Sequence, residues 1–215
     1  MLKIYGSDLS SPANKVRFVA NYLGLKYDYI VVKMREGEHL KPEFLKINPV
    51  GKIPAIDDDG FTLFESNAIC RYLADKQGSA IYPKGLKERA IIEEWLDFGS
   101  MHVSLAVSKV VYNRIFAPIR KVEADERSIK EGLEFLARFL PIVDTQLAKN
   151  KYLLGSQITL PDFNILAALD PVEAAQIDIV AYAHIVGWRK ELKKQEFYTK
   201  CHKDYGESLK QTASR

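Results

Sequence analysis

The sequence predicts an α/β domain followed by an all-helical domain. Three observations predict it. Over residues 1–77 short apolar strands alternate with amphipathic helices. From Leu86 onward helical periods dominate and no strand is evident. Between them, residues 78–86 carry Gly78, Ser79, Pro83 and Gly85 without periodicity, which reads as a linker. The expected division is 1–77, a linker at 78–86, and a helical domain over 87–215.

Each element of the first domain has its own cause. Leu2 to Tyr5 is a short apolar strand. Pro12 opens a helix, with Ser11 as its expected N-cap. Val16, Val19, Ala20 and Leu23 form one apolar face at i, i+3, i+4 and i+7, and Gly24 ends the helix. Tyr27 to Val32 is the next strand. A polar stretch leads to a helical turn at Glu43 to Lys46. Ile53 to Ile56, a turn at Asp57-Asp58-Asp59-Gly60, and Phe61 to Phe64 read as a hairpin. A helix from Asn67 to Lys76 closes the domain. The order βαβαββα, with a proline before the third strand, is thioredoxin-like.

The second domain reads as helices throughout. Ile91, Ile92, Trp95 and Leu96 begin a long helix that reaches toward Phe116, before Pro118. Leu133, Leu136, Ala137, Leu140, Val143 and Leu147 mark another, in which Pro141 predicts a kink or a break. Thr159-Leu160-Pro161-Asp162 is a capping-box start, with Ile158 and Phe163 as a hydrophobic staple. Further helices are expected near Val172 to Tyr182 and Ile185 to Lys194. The polar tail from Glu207 is expected to be loose.

Composition excludes several classes. Apolar residues make up 47% of the chain, ample for buried cores, and the net charge is only +3 with both signs mixed. That is not a nucleic-acid footprint. Cys70 and Cys201 supply neither a disulfide framework nor a metal spacing, and the four histidines show no His-x-x-x-His pattern. Cys201 beside His202 invites a metal or nucleophile reading, but no further ligands sit near in sequence. No apolar run approaches the roughly 18 residues needed to cross a bilayer. The N-terminus reads at once as a strand rather than as a signal peptide. The expectation is a soluble, cytoplasmic protein without metal, membrane or nucleic-acid partner.

The residues with chemical potential cluster in the first domain. Pro54 stands at the mouth of a strand, where it removes a ladder donor and where a cis Ile53–Pro54 bond would turn the chain and expose the backbone of Ile53. Glu65-Ser66 stands where a strand gives way to a helix. Free N–H groups and the positive dipole end collect there, so the junction suits a carboxylate ligand. Strand-edge backbone beside a helix N-terminus can hold a small peptide. Ser10 lies in Asp8-Leu9-Ser10-Ser11-Pro12, between the first strand and first helix. A hydroxyl there can donate to an anion, or it can simply cap the helix; loop register leaves Ser10 and Ser11 both open. Donated to a thiol, such a bond lowers its pKa. A move from about 8.5 to about 6.5 requires roughly 2.7 kcal/mol, within reach of one charge-assisted hydrogen bond plus a dipole.

Asn48-Pro49-Val50-Gly51-Lys52-Ile53-Pro54-Ala55, followed by Phe64-Glu65-Ser66-Asn67-Ala68-Ile69, resembles the glutathione site of cytosolic glutathione transferases. The resemblance runs over the whole chain in length and element order, and the Leu9-Ser10-Ser11-Pro12 context is similar to the serine-type theta and phi classes. It implies that Ser10 activates the thiol of glutathione, whose thiolate is the nucleophile. Other classes use a tyrosine in the first strand, and Tyr5 is present, but its place in the strand argues for core packing. The resemblance further implies that His39, in Gly37-Glu38-His39, and Lys52 meet the glycine carboxylate. Ile53 and Pro54 hold the peptide backbone, and Glu65 and Ser66 hold the γ-glutamyl end.

An electrophilic small molecule is the implied second substrate, held by the helical domain. Met101, His102, Leu105, Tyr112 and Phe116, at roughly helical spacing, are the candidate pocket, although such a stripe is commonly core. No permanently bound cofactor is implied; glutathione is a co-substrate. A homodimer is implied, the first domain of one subunit meeting the helices of the other. The function expected is transfer of glutathione to electrophiles, with detoxification as its setting. A glutathione-dependent isomerase, dehalogenase or peroxidase is an enzymatic rival, though the Ser-Ser-Cys triplet of zeta-type isomerases is absent. A non-catalytic interaction module of the same fold is the rival from another class.

Overall fold

The structure, a computed structural model, describes the backbone of residues 1–213 and the side chains of residues 1–210. It forms two compact units, Met1–Tyr82 together with the chain from Gln195 onward, and Pro83–Lys194.

The first unit holds a four-stranded sheet of order β2-β1-β3-β4, built from β1 (Leu2–Gly6), β2 (Tyr27–Val31), β3 (Ala55–Asp58) and β4 (Phe61–Phe64). β1 pairs parallel with β2 and antiparallel with β3, and β3 pairs antiparallel with β4. Helices α1 (Ser11–Tyr22) and α3 (Ser66–Lys76) pack on each other, and α2 (Pro42–Leu45) is a single turn. Ile4, Phe18, Val19, Ile56 and Ile69 are fully buried. β1 alternates buried and half-buried residues, so one of its faces enters this core, whereas α1 is buried continuously from Ala13 to Ala20.

Three local expectations for this unit shift. Ser10, with extended backbone at φ −98° and ψ 103°, is the N-cap of α1, and Ser11 is already helical. The β3–β4 turn is Asp59-Gly60, both with positive φ, so Asp57 and Asp58 belong to the strand. Asp58 tolerates burial because Tyr72 and Lys76 of α3 both hydrogen-bond its carboxylate, which lies below the ordinary carboxylate pKa range through those bonds. Over the described residues the tail is helical: α10 (Glu196–Thr199) and α11 (Tyr205–Ala213) group with the first unit, not with residues 83–194. Burial of Phe197, Tyr198 and Tyr205 anchors them, a signal that the surrounding Lys, Glu and Ser residues mask.

In the second unit, α4 (Leu86–Phe98), α5 (Leu105–Val111) and α6 (Ala117–Ile119) are joined by π-helical segments at Gly99–Ser104 and Tyr112–Phe116. α7 (Glu126–Lys149) runs through Pro141 without a break. The carbonyl deprived of its donor there belongs to Ala137, an exposed residue, where water can satisfy it. α8 (Leu160–Ala168) and α9 (Ala183–Lys193) complete the unit. Residues 172–182 form turns instead of the expected helix. Gln176 adopts a positive φ, and the Ile177 N–H bonds back to the Val172 carbonyl at 2.8 Å, a closure that stops helical propagation.

Candidate functional site

Sheet register brings the predicted residues of the first unit to one end. Tyr5 lies opposite Ala55, so the end of β1, leading to Ser10, adjoins the start of β3, after Ile53–Pro54. Ala55 lies opposite Phe64, so Glu65-Ser66 leaves β4 at the same end. Gly6 lies opposite Val31, and the loop carrying His39 departs there too. The Ile53–Pro54 peptide is cis.

The loop before it is shaped by Asn48, which is 2% exposed. Its amide donates to the Lys52 carbonyl at 2.5 Å, and its Oδ1 accepts from the Val50 N–H at 3.0 Å. Gly51 adopts φ +65°, which strains any side chain-bearing residue, and a Cβ there would stand a tight 3.2 Å from the His39 carbonyl oxygen. That close approach brings His39 beside the segment carrying Lys52. The Nδ1 of His39 is buried with no partner among the described residues.

Glu65 itself has φ +68° and ψ 109°, a conformation a side chain-bearing residue adopts only under constraint. No side chain caps α3, so the Glu65-Ser66 pair is not consumed as a helix cap. Beneath this turn lies Lys15, 6% exposed, whose ammonium donates to Asn67 Oδ1. Burial lowers its pKa to about 8, with Cys70, Arg71 and Glu65 in electrostatic reach, while burial pushes the Cys70 thiol up to about 11. Cys70 is therefore a protonated, inert core thiol. Lys15 and Asn48 both escaped the sequence reading. A lysine adjoining the apolar face of α1 gives a weak signal; an Asn before Pro-x-Gly is a stronger one, since Asn side chains fold back on turns.

Ser10 Oγ accepts from the Ala13 N–H at 3.3 Å, at the positive end of α1. An N-capping serine uses an oxygen lone pair and keeps its own proton, so capping leaves the O–H free to donate to a bound anion. Tyr5 packs in the core, its ring 6.1 Å from that of Phe44 in an edge arrangement.

The candidate pocket residues of the second unit divide. Met101, Leu105 and Tyr112 are exposed, which removes them from the core. His102 is exposed as well, with its ring 5.7 Å from Phe98 and 5.1 Å from Phe139, and Phe116 is half-buried. Four of the five, all but Leu105, sit on the two π segments. An open groove of about 480 Å³ nearby is lined by Arg114, Glu126, Ile129, Lys130, Leu133, Glu134 and Ala137, and includes none of the five. Among the described residues no three His, Cys, Asp or Glu side chains gather as a metal group, and no helix is long and apolar enough to cross a membrane.

Comparison with known proteins finds relatives for both units. Residues 1–75 match the family "Glutathione S-transferase, N-terminal domain" and residues 101–196 match "Glutathione S-transferase, C-terminal domain". Glutathione S-transferase F10 of Arabidopsis thaliana is 37% identical over 172 residues, covering 79% of this chain and 78% of that protein. Glutathione S-transferase 3 of Zea mays is 34% identical over 205 residues, covering 93% and 92%. The crystal structure of glutathione transferase F2 from Populus trichocarpa superposes with a TM-score of 0.87 at 29% identity, covering 94% of this chain and 97% of that one. Spread over both units, these matches show that the chain belongs to the glutathione S-transferase family, as a glutathione transferase with glutathione as its co-substrate.

Proposed function

We propose that Ser10 is the activating hydroxyl and that the chain is a serine-type transferase of phi-like character. The observation that carries this is the double placement of Ser10: its oxygen caps α1 while its proton remains to be donated at the helix's positive end. Glutathione lies across the end of the sheet. The Glu65 carboxylate takes its ammonium, and the Ser66 hydroxyl and N–H take the γ-glutamyl carboxylate. Ile53 and Pro54 align the backbone, and His39 and Lys52 face the glycine carboxylate. The thiol proton leaves to solvent, and Ser10 stabilises the thiolate. The thiolate then forms a C–S bond with an electrophilic carbon, whose displaced group departs with the bonding electrons. Met101, Leu105 and Tyr112 are large apolar side chains exposed on the helical unit, free to meet an apolar electrophile. Removal of reactive electrophiles, as in detoxification, is the fitting role.

We further infer a cytoplasmic homodimer. Two free thiols suit a reducing compartment. Trp95, Phe98, Phe135 and Phe139 form a half-buried aromatic strip on α4 and α7, a surface suited to a second copy.

The test is the pH titration of the ultraviolet thiolate absorbance of bound glutathione. A midpoint well below about 8.5 is expected, with Ser10→Ala moving it back and lowering turnover ~10²-fold, or roughly 2.7 kcal/mol. An unchanged rate and midpoint in Ser10→Ala would sink the assignment.

A further inference from the structure

Ser10 is held in place by a segment at the far end of the chain. The loop from Ser7 to Ser10 closes through the Ser10 N–H, which donates to the Ser7 carbonyl at 2.9 Å. The carbonyl of that same peptide unit, on Leu9, accepts from the Tyr205 hydroxyl at 2.9 Å. Both polar ends of the peptide preceding Ser10 are thereby fixed, one locally and one from the C-terminal segment. The orientation of that peptide sets the direction of the Ser10 Cα–Cβ bond, and so the place of its hydroxyl.

A second tether runs beside the first. Arg17 Nη1 donates to the Asp8 carboxylate at 2.6 Å, and Nη2 donates to the Cys201 carbonyl at 3.2 Å. One guanidinium fork therefore joins the serine loop to the C-terminal segment. Arg17 and Tyr205 are 7% and 2% exposed, so water does not compete freely for these bonds. The segment is seated on α1 by rings as well: Phe18 lies 5.1 Å from Tyr198 and 6.0 Å from Phe197. Asn21 donates to the Phe197 carbonyl at 3.0 Å.

We propose that Tyr205, seconded by Arg17, is a positioning residue for Ser10, and that the C-terminal segment Gln195–Lys210 sets the geometry in which the hydroxyl meets the glutathione thiol. This rests on Ser10 being the activating group. Asp8 and Arg17 are the charged side chains tied to the loop, and Tyr205→Phe alters neither, so a change in thiol titration reports lost orientation rather than lost charge.

The experiment compares wild type, Ser10→Ala, Tyr205→Phe and Asn21→Ala. Thiolate titration of bound glutathione and steady-state kinetics with a chloronitrobenzene are measured from pH 6 to 9. Tyr205→Phe is expected to raise the thiol midpoint by about half a pH unit or more, roughly a threefold loss of thiolate below the midpoint. Turnover should fall about twofold at pH 6.5, approach a threefold loss at pH 6 and converge on wild type near pH 9, with the glutathione KM within about twofold. Asn21→Ala, which loosens the segment away from the loop, should leave the midpoint in place. A wild-type midpoint in Tyr205→Phe while Ser10→Ala shifts it overturns the positioning role and leaves Ser10 standing. An equal shift in Asn21→Ala also overturns it, in favour of general loosening. A wild-type bound thiol titrating like free glutathione overturns the Ser10 reading and this one together. Should Tyr205→Phe not fold, Arg17→Lys, which keeps the charge but loses the fork, is judged by the same outcomes.

Discussion

Glu65 carries a backbone cost that the proposed ligand role would account for. Its positive φ costs of order 1–3 kcal/mol in a residue with a side chain, and its side chain caps nothing. Glycine adopts this backbone more easily. Glu65→Gly is therefore expected to keep or raise the thermal midpoint while raising the glutathione KM about fivefold or more. A KM equal to wild type would make the carboxylate a bystander. The buried Lys15 beneath the same turn holds Asn67 and stands in the field of Glu65. The turn is thus supported from below by a charge that an exposed α1 would not supply.

At the scale of elements, helix ends and helix irregularities do most of the positioning. The Asp162 carboxylate accepts from the Thr159 N–H at 2.8 Å and, across the chain, from the Leu153 N–H at 2.9 Å. Burial raises its pKa to about 6 in spite of these bonds. The sign follows: the folded state binds this proton more tightly than the unfolded chain, so stability falls as pH rises from about 4 to about 6. Asp162→Ala orphans buried donors and should cost a few kcal/mol. Its deficit against wild type should narrow across that window, as read by urea unfolding at several pH values. Parallel pH profiles for the two proteins would disprove the shift. The π segments have comparable supports. Asn113 donates to the Lys109 carbonyl at 2.8 Å and accepts from the Asp125 N–H at 2.8 Å, tying the second segment to the start of α7. Asn164 donates to Ser100 at 3.0 Å, and a side chain at Gly99 would meet Asn164 Oδ1 at 2.3 Å. Each π turn widens the helix locally and rotates the residues beyond it.

For the whole molecule, the proposed homodimer predicts a sedimentation mass near twice the 24.4 kDa chain, and Phe98→Asp with Phe139→Asp should return it to one chain. A monomeric wild type at micromolar concentration would end that proposal. The two-class architecture, the strands of the first unit and the Thr159–Asp162 helix start were legible in the residues, as was the motif that nominates Ser10, Ile53-Pro54 and Glu65-Ser66. Each depends on local chemistry: alternation, capping, turn residues, and a motif of fixed spacing. Other features depended on contacts between distant parts of the chain. Ser10 rather than Ser11 caps α1, Asp58 sits in a strand because Tyr72 and Lys76 await it, and Lys15 is buried under Glu65. The tail from Gln195 joins the first unit because Phe197, Tyr198 and Tyr205 find α1 and Leu9 there. By itself the sequence determined the strands of the first unit and the helical character of the second, because propensity and spacing act over a few residues. Only the tertiary structure decided which polar groups are buried and which hydroxyl is held in place, because burial and hydrogen-bond partners are supplied by residues up to 196 positions away.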